Sequence, residues 1–153
     1  LTGKEDKPSK QAFDEALKIL ARRDMSSSAL LEKLTAKGFS REEAEEAAEK
    51  LRKKGYLDDS KLAGRQARLY LEKGKGYFYI KHHLHNLGFT TPPEVPAEDE
   101  IAAIIDILQK KGQTAKKLGN QANRVKMMVF LSRRGFRHDS ITRAIRQFQE
   151  TEG

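Results

Sequence analysis

The sequence predicts an all-α fold of tandem three-helix repeats, with three units of which the middle one is incomplete, stacked as a solenoid-like array. Three observations predict it. An apolar residue, a leucine four later and Gly-Phe four after that recur as Leu30/Leu34/Gly38-Phe39, Ile80/Leu84/Gly88-Phe89 and Met127/Leu131/Gly135-Phe136. The three glycines stand 50 and 47 residues apart, which is the period of a repeat array. Apolar residues recur at helical spacing, and no segment sustains the period-two alternation of a strand. A unit of about fifty residues buries too little surface to be stable alone, and stacking on neighbours is the expected remedy.

The first unit, 12–56, opens with Phe13, Ala16, Leu17, Leu20 and Ala21 on one helical stripe that stops near Asp24. Ser26, Ser27 and Ser28 offer N-cap oxygens for a second helix, which carries Leu30, Leu31 and Leu34. Lys37-Gly38 is the expected C-terminal stop, with glycine at positive φ and Phe39 folded back as an apolar plug. The same conformation is expected at Gly88 and Gly135. Ser40-Arg41-Glu42-Glu43 reads as a capping box opening a third helix through Ala44, Ala47, Ala48 and Leu51 to Gly55. That helix runs from acidic to basic, as its dipole favours.

The second unit, 57–98, follows the junction Gly55-Tyr56-Leu57-Asp58-Asp59, where either aspartate can cap a helix carrying Leu62, Ala63, Leu69 and Tyr70. Gly74 and Gly76 end it, and residues 77–87 form the next helix. After Gly88-Phe89 come Pro92, Pro93 and Pro96, which no helix interior tolerates together. Residues 90–98 are therefore expected to be a linker, with the unit's third helix lost or reduced to a turn. The third unit, 99–149, begins with Ile101, Ile104, Ile105 and Leu108 at i, i+3, i+4 and i+7. The polar stretch 112–123 is expected to be a flexible loop. A helix through Met127, Val129, Phe130 and Leu131 follows, and after Gly135-Phe136 a last one bears Ile141, Ala144 and Phe148.

Charge is distributed unevenly. Residues 109–153 carry eleven Lys/Arg against three acids, which equals the +8 of the whole chain. Such a basic end favours a polyanionic partner or an acidic protein surface. No run approaches the roughly 18 apolar residues of a membrane span, and no signal-peptide pattern opens the chain. With no cysteine there is neither a disulfide framework nor a thiolate metal site. A cytoplasmic protein is the expectation. The chain starts at Leu1 rather than Met, as a piece of something longer would.

No motif carries chemistry. Gly74-Lys75-Gly76 lacks the spacing and the Ser/Thr of a phosphate-binding loop. His82 and His85 share a helix face but have no further ligand nearby, and a solvated basic face explains them better. Capping explains Asp58-Asp59 without catalysis. No nucleophile–base pair is evident, so no enzyme, cofactor or metal site is expected. Tyr77-Phe78-Tyr79, between Lys75 and Lys81, could stack on bases, although a helix buries one face and at least one ring belongs to the core. The densest arginine cluster is Arg133, Arg134, Arg137, Arg143 and Arg146, suited to bidentate contacts with phosphate or carboxylate. The candidate partner- or DNA-binding residues are therefore Lys75, Lys81, Lys116, Lys117, Arg124, Lys126, Arg133, Arg134, Arg137, Arg143 and Arg146. The plain alternative for each is a solvated helix face.

Several of these pieces resemble one family. Ala21-Arg22-Arg23, Ser26, Leu30-Leu31-Glu32-Lys33-Leu34 and Lys37-Gly38-Phe39 resemble the opening of RecX proteins. Gly55-Tyr56-Leu57-Asp58-Asp59, followed by Leu62-Ala63, is similar to the family's most recognisable junction. Phe130-Leu131-Ser132-Arg133-Arg134-Gly135-Phe136 with Ile141 resembles its third repeat, so that the resemblance covers about residues 12–148. It implies an elongated, curved array of three-helix repeats, without catalytic activity, lying in the groove of the RecA–single-stranded DNA filament. It further implies that such a protein limits filament growth, RecA ATPase and strand exchange in recombination and SOS repair. The partners implied are the RecA filament and single-stranded DNA or its backbone, met by a monomer. A stand-alone helix-turn-helix-like DNA-binding protein is the alternative, kept open by the basic helix after Phe136.

Overall fold

A computed structural model describes residues 2–152, with side chains from Lys10 to Thr151. Among the described residues it contains nine helices and no strand: α1 Thr2–Arg22, α2 Ser27–Ala36, α3 Arg41–Lys53, α4 Asp59–Glu72, α5 Tyr77–Asn86, α6 Ala97–Lys110, α7 Ala115–Gly119, α8 Gln121–Arg133 and α9 His138–Glu152. The chain divides into two compact units. One comprises the described residues up to 63 together with 84–91; the other comprises 64–83 and the described residues from 92 onward. Residues 57–63 and 84–91 thus fall in the first unit, and 64–83 and 92–98 in the second.

In the first unit α1, α2 and α3 enclose a core of Ala12, Ala16, Ile19, Leu30, Leu34, Ala44, Ala47, Leu51 and Leu57. Ile19 is buried where the stripe expected Leu20, which is only partly covered. Ser26 caps α2, its Oγ accepting from Ala29 N at 3.1 Å and donating to Leu87 O at 2.8 Å. Ser40 Oγ likewise accepts from Glu43 N at the head of α3. The two aspartates of the junction divide the work. Asp58, just ahead of α4, accepts from Lys61 N in its first turn, whereas Asp59 accepts from Ser27 N at 2.9 Å and Ser27 Oγ at 3.1 Å. The start of α4 is thereby joined to an α2 amide that has no acceptor within its own helix.

The Gly-Phe landmark is a helix stop. Gly38, Gly88 and Gly135 have φ of 102°, 91° and 94°, as expected. Phe39 N donates to Leu34 O, Phe89 N to Leu84 O and Phe136 N to Leu131 O. These are the six-to-one bonds of the Schellman motif, with the leucine and the phenylalanine as its apolar pair. Gly55, Gly74 and Gly112 close helices in the same way, with Tyr56, Lys75 and Gln113 donating back to Leu51, Tyr70 and Leu108.

In the second unit α6, α7, α8 and α9 enclose Ile101, Ile104, Leu108, Leu118, Met127, Leu131, Phe136, Ile141, Ala144, Ile145 and Phe148. No helix lies between Asn86 and Ala97. Pro96 occupies the α6 N-cap position with φ −59°, so α6 starts two residues ahead of 99. The stretch 112–123 is not a flexible loop. It holds α7 and the start of α8, because its polar residues are caps. Thr114 Oγ1 accepts from Lys117 N, and Asn120 Oδ1 accepts from Asn123 N. Asn123 Nδ2 donates to Gln113 Oε1 and Lys117 O, and Leu118 is fully buried beneath them.

Candidate partner-binding surface

Positive charge concentrates on the second unit. Residues 64–83 and 92–153 hold sixteen Lys/Arg against nine Asp/Glu, while the rest of the chain holds fourteen against thirteen. The candidate cations differ sharply in what they are free to do. Lys81, Lys116, Lys126, Arg133 and Arg146 are exposed, and Arg124 is half-buried. Lys117 Nζ donates to Gly112 O at 3.0 Å. Arg143 lies 3.6 Å from Asp139 in an exposed pair one helical turn apart, a geometry that holds little energy and leaves the charge available. Lys75 Nζ sits 4.8 Å above the Tyr79 ring. Arg134 lies over the Phe130 ring at 5.1 Å, as Lys111 does at 4.0 Å, and its Nε is buried without an acceptor among the described residues.

Arg137 is committed inside the unit. Its Nε donates to Glu100 Oε1 at 2.5 Å, its Nη2 donates to Val95 O, and its guanidinium lies 4.7 Å over Tyr77. Glu100 is fully buried. Its other bonds come from Ser140 Oγ (2.8 Å), Tyr77 N (2.9 Å) and Arg137 N (3.3 Å). One carboxylate therefore sits at the amino ends of both α5 and α9, where the helix dipoles favour an anion. Sequence reasoning missed Glu100 because it stands beside Glu98 and Asp99, which look like an exposed acidic first turn. Its signal was present: it lies four and eight residues ahead of Ile104 and Leu108, on the buried stripe.

The aromatic run divides as well. Tyr77 is covered by Arg137, Tyr79 lies parallel to His83 at 6.1 Å, and Phe78 is 57 % exposed. His83 also meets Tyr70, with Nε2 2.6 Å from the phenol oxygen. Burial first, then Lys73 and His82, holds its pKa below the ordinary 6.5. A depressed histidine contributes stability that is complete above 6.5 and is lost as pH falls through the folded value. A histidine titration followed by NMR should therefore place the His83 midpoint below 6.5. No group of three His, Cys, Asp or Glu capable of holding a metal occurs among the described residues. No described helix is long and apolar enough to cross a membrane.

Comparison with known proteins accounts for both units. The model of the first three-helix domain of RecX matches residues 12–51, covering α1 to α3, and that of the third three-helix domain matches 98–145, covering α6 to α9. The "Regulatory protein RecX" of Stenotrophomonas maltophilia (strain R551-3) is 32 % identical over 152 residues, spanning 95 % of this chain and 92 % of that protein. Its counterpart in Vibrio vulnificus (strain CMCP6) is 30 % identical over 145 residues, spanning 90 % and 93 %. Among solved structures, RecX from Lactobacillus salivarius superposes with a TM-score of 0.77 at 16 % identity, covering 95 % of this chain and 99 % of that one, and it speaks for the fold. Two matched three-helix domains, with relatives aligned along nearly the whole length, establish that the chain belongs to the RecX family.

Proposed function

We propose that this protein regulates the RecA recombinase. It binds the RecA–single-stranded DNA filament and limits its extension, its ATPase and strand exchange, acting as a cytoplasmic monomer. The observation that carries this reading is the family membership, and the cation excess of the second unit supports it. A filament of protein and nucleic acid is a polyanionic target, and a basic surface raises both encounter rate and affinity for it. The binding surface is proposed to be built from the exposed cations of α7, α8 and α9, with Arg137 serving the interior instead.

The test is RecA ATPase on single-stranded DNA. Saturating amounts of this protein should suppress hydrolysis, and an unchanged rate would sink the reading. Charge reversal of Arg143 and Arg146 together should weaken filament binding about tenfold or more, and raised salt should weaken the wild type in parallel. Sequence-specific duplex binding that ignores RecA would favour the helix-turn-helix alternative.

A further inference from the structure

Two segments without acids meet in the second unit. Residues 73–83 hold three lysines and residues 107–138 hold nine Lys/Arg, and all 22 Asp and Glu of the chain lie outside these 43 residues. The backbones touch where α5 begins and α8 ends. Gly76 N donates to Arg134 O and Phe78 N donates to Gly135 O, each at 2.9 Å. The approach is so close that a Cβ on Gly76 would lie 2.4 Å from Phe136 N. Glu100, which reaches the crossing through Tyr77 N, is buried and paired with Arg137, so it offers no negative charge to solvent.

Phe78 is mounted on this crossing. Its backbone is pinned by the bond to Gly135 O, yet its ring is 57 % exposed, with the edge of Tyr77 5.3 Å away. A large apolar ring held in water on a rigid support is costly unless something covers it. Around it in sequence and through the crossing stand Lys75, Arg133 and Arg134. Arg134 is stacked beside Gly74 rather than paired with an acid among the described residues.

We propose that the Gly76–Gly135 crossing is a binding site for single-stranded nucleic acid. Phe78 stacks on an unpaired base, and Lys75, Arg133 and Arg134 face the phosphates. Charge complementarity selects the occupant: protein surfaces intersperse both signs, so a protein partner would be met by some acids as well. Two segments that carry no acid and meet at one crossing fit a ligand that is uniformly negative. The ring selects the single strand, because the base faces of a duplex are already stacked. The site deepens the RecA reading by naming a strand contact, but it is tested without RecA, so the two fail separately.

The experiment is fluorescence anisotropy of the whole chain with a labelled oligo-dT, over a salt series, alongside a matched blunt duplex. Wild type should prefer the single strand. Phe78→Ala should weaken oligo-dT binding about tenfold with an unchanged salt slope, and Phe78→Trp should restore it. Arg133→Gln should instead reduce the slope by about 0.7, one phosphate contact. Far-UV circular dichroism and melting of each variant check that the fold survives, which the exposure of both side chains favours. Undiminished binding by Phe78→Ala, equal binding of duplex, or equal competition by polyglutamate would overturn the site and leave a plain basic patch.

Discussion

Alanine at Gly135 should destabilise the protein by about 4 kcal/mol, while alanine at Gly38 should cost about 1 kcal/mol, although the two glycines hold the same place in the same motif. Both have positive φ, 94° and 102°, so both substitutions meet the same left-handed strain. The surroundings differ. A Cβ on Gly38 would meet nothing within 4 Å, whereas one on Gly135 would lie 2.5 Å from Tyr79 N and 2.8 Å from Tyr79 Cβ. Backbone cannot rotate away as a side chain can, so α5 must move off α8. The bonds from Gly76 N and Phe78 N then lengthen, each worth about 1 kcal/mol, on top of an overpacking cost of about 1–3 kcal/mol. Gly88→Ala falls between them, since its nearest neighbour is Ser26 Oγ at 2.9 Å, a side chain that can shift but caps α2. Gly76→Ala should match Gly135→Ala from the other side of the crossing, without the φ penalty. Urea titrations read at constant slope decide the order, and equal losses at Gly38 and Gly135 would refute the packing argument.

The repeat was legible because its signals are local. A Schellman stop needs a glycine, an apolar residue and a leucine five positions earlier, all within one helix end, and a single sequence displays them. The caps at Ser26 and Ser40 were readable for the same reason. Residues 112–123 misled because Thr, Asn and Gly serve loops and caps alike. What decides is whether an apolar residue such as Leu118 finds a core, and only the folded chain shows that. The surface was half legible. Net charge told which end is basic, but not which cations are already engaged. Arg137 finds its partner 37 residues away, and Phe78 is the most exposed ring of its run while Tyr77 lies under Arg137 and Tyr79 meets Lys75 and His83. Tertiary pairing at that distance leaves no periodicity to read.

Removing the Glu100 carboxylate should be the most damaging side-chain change in the second unit. Glu100→Ala leaves Arg137 without its anion and strands Ser140 and two backbone amides in the interior, a loss of about 3–5 kcal/mol. Arg137→Met, which keeps much of the aliphatic length over Tyr77, leaves the carboxylate buried with its three other donors and should cost less, about 2–3 kcal/mol. The double variant should lose far less than the two single losses combined, because each change removes the charge that the other leaves uncompensated. The cycle, followed by urea unfolding, also decides what Arg137 is for. If the guanidinium serves the interior, Arg137→Met lowers stability, while the protein that remains folded acts on RecA as the wild type does. If it meets the filament, inhibition is lost at little cost in stability, and the coupling to Glu100 is small. The first outcome is expected, since this one pair joins residues 37 apart in sequence and holds α5, α6 and α9 at their ends. Those ends define the Gly76–Gly135 crossing, so an interior ion pair fixes where an exterior ring can stand.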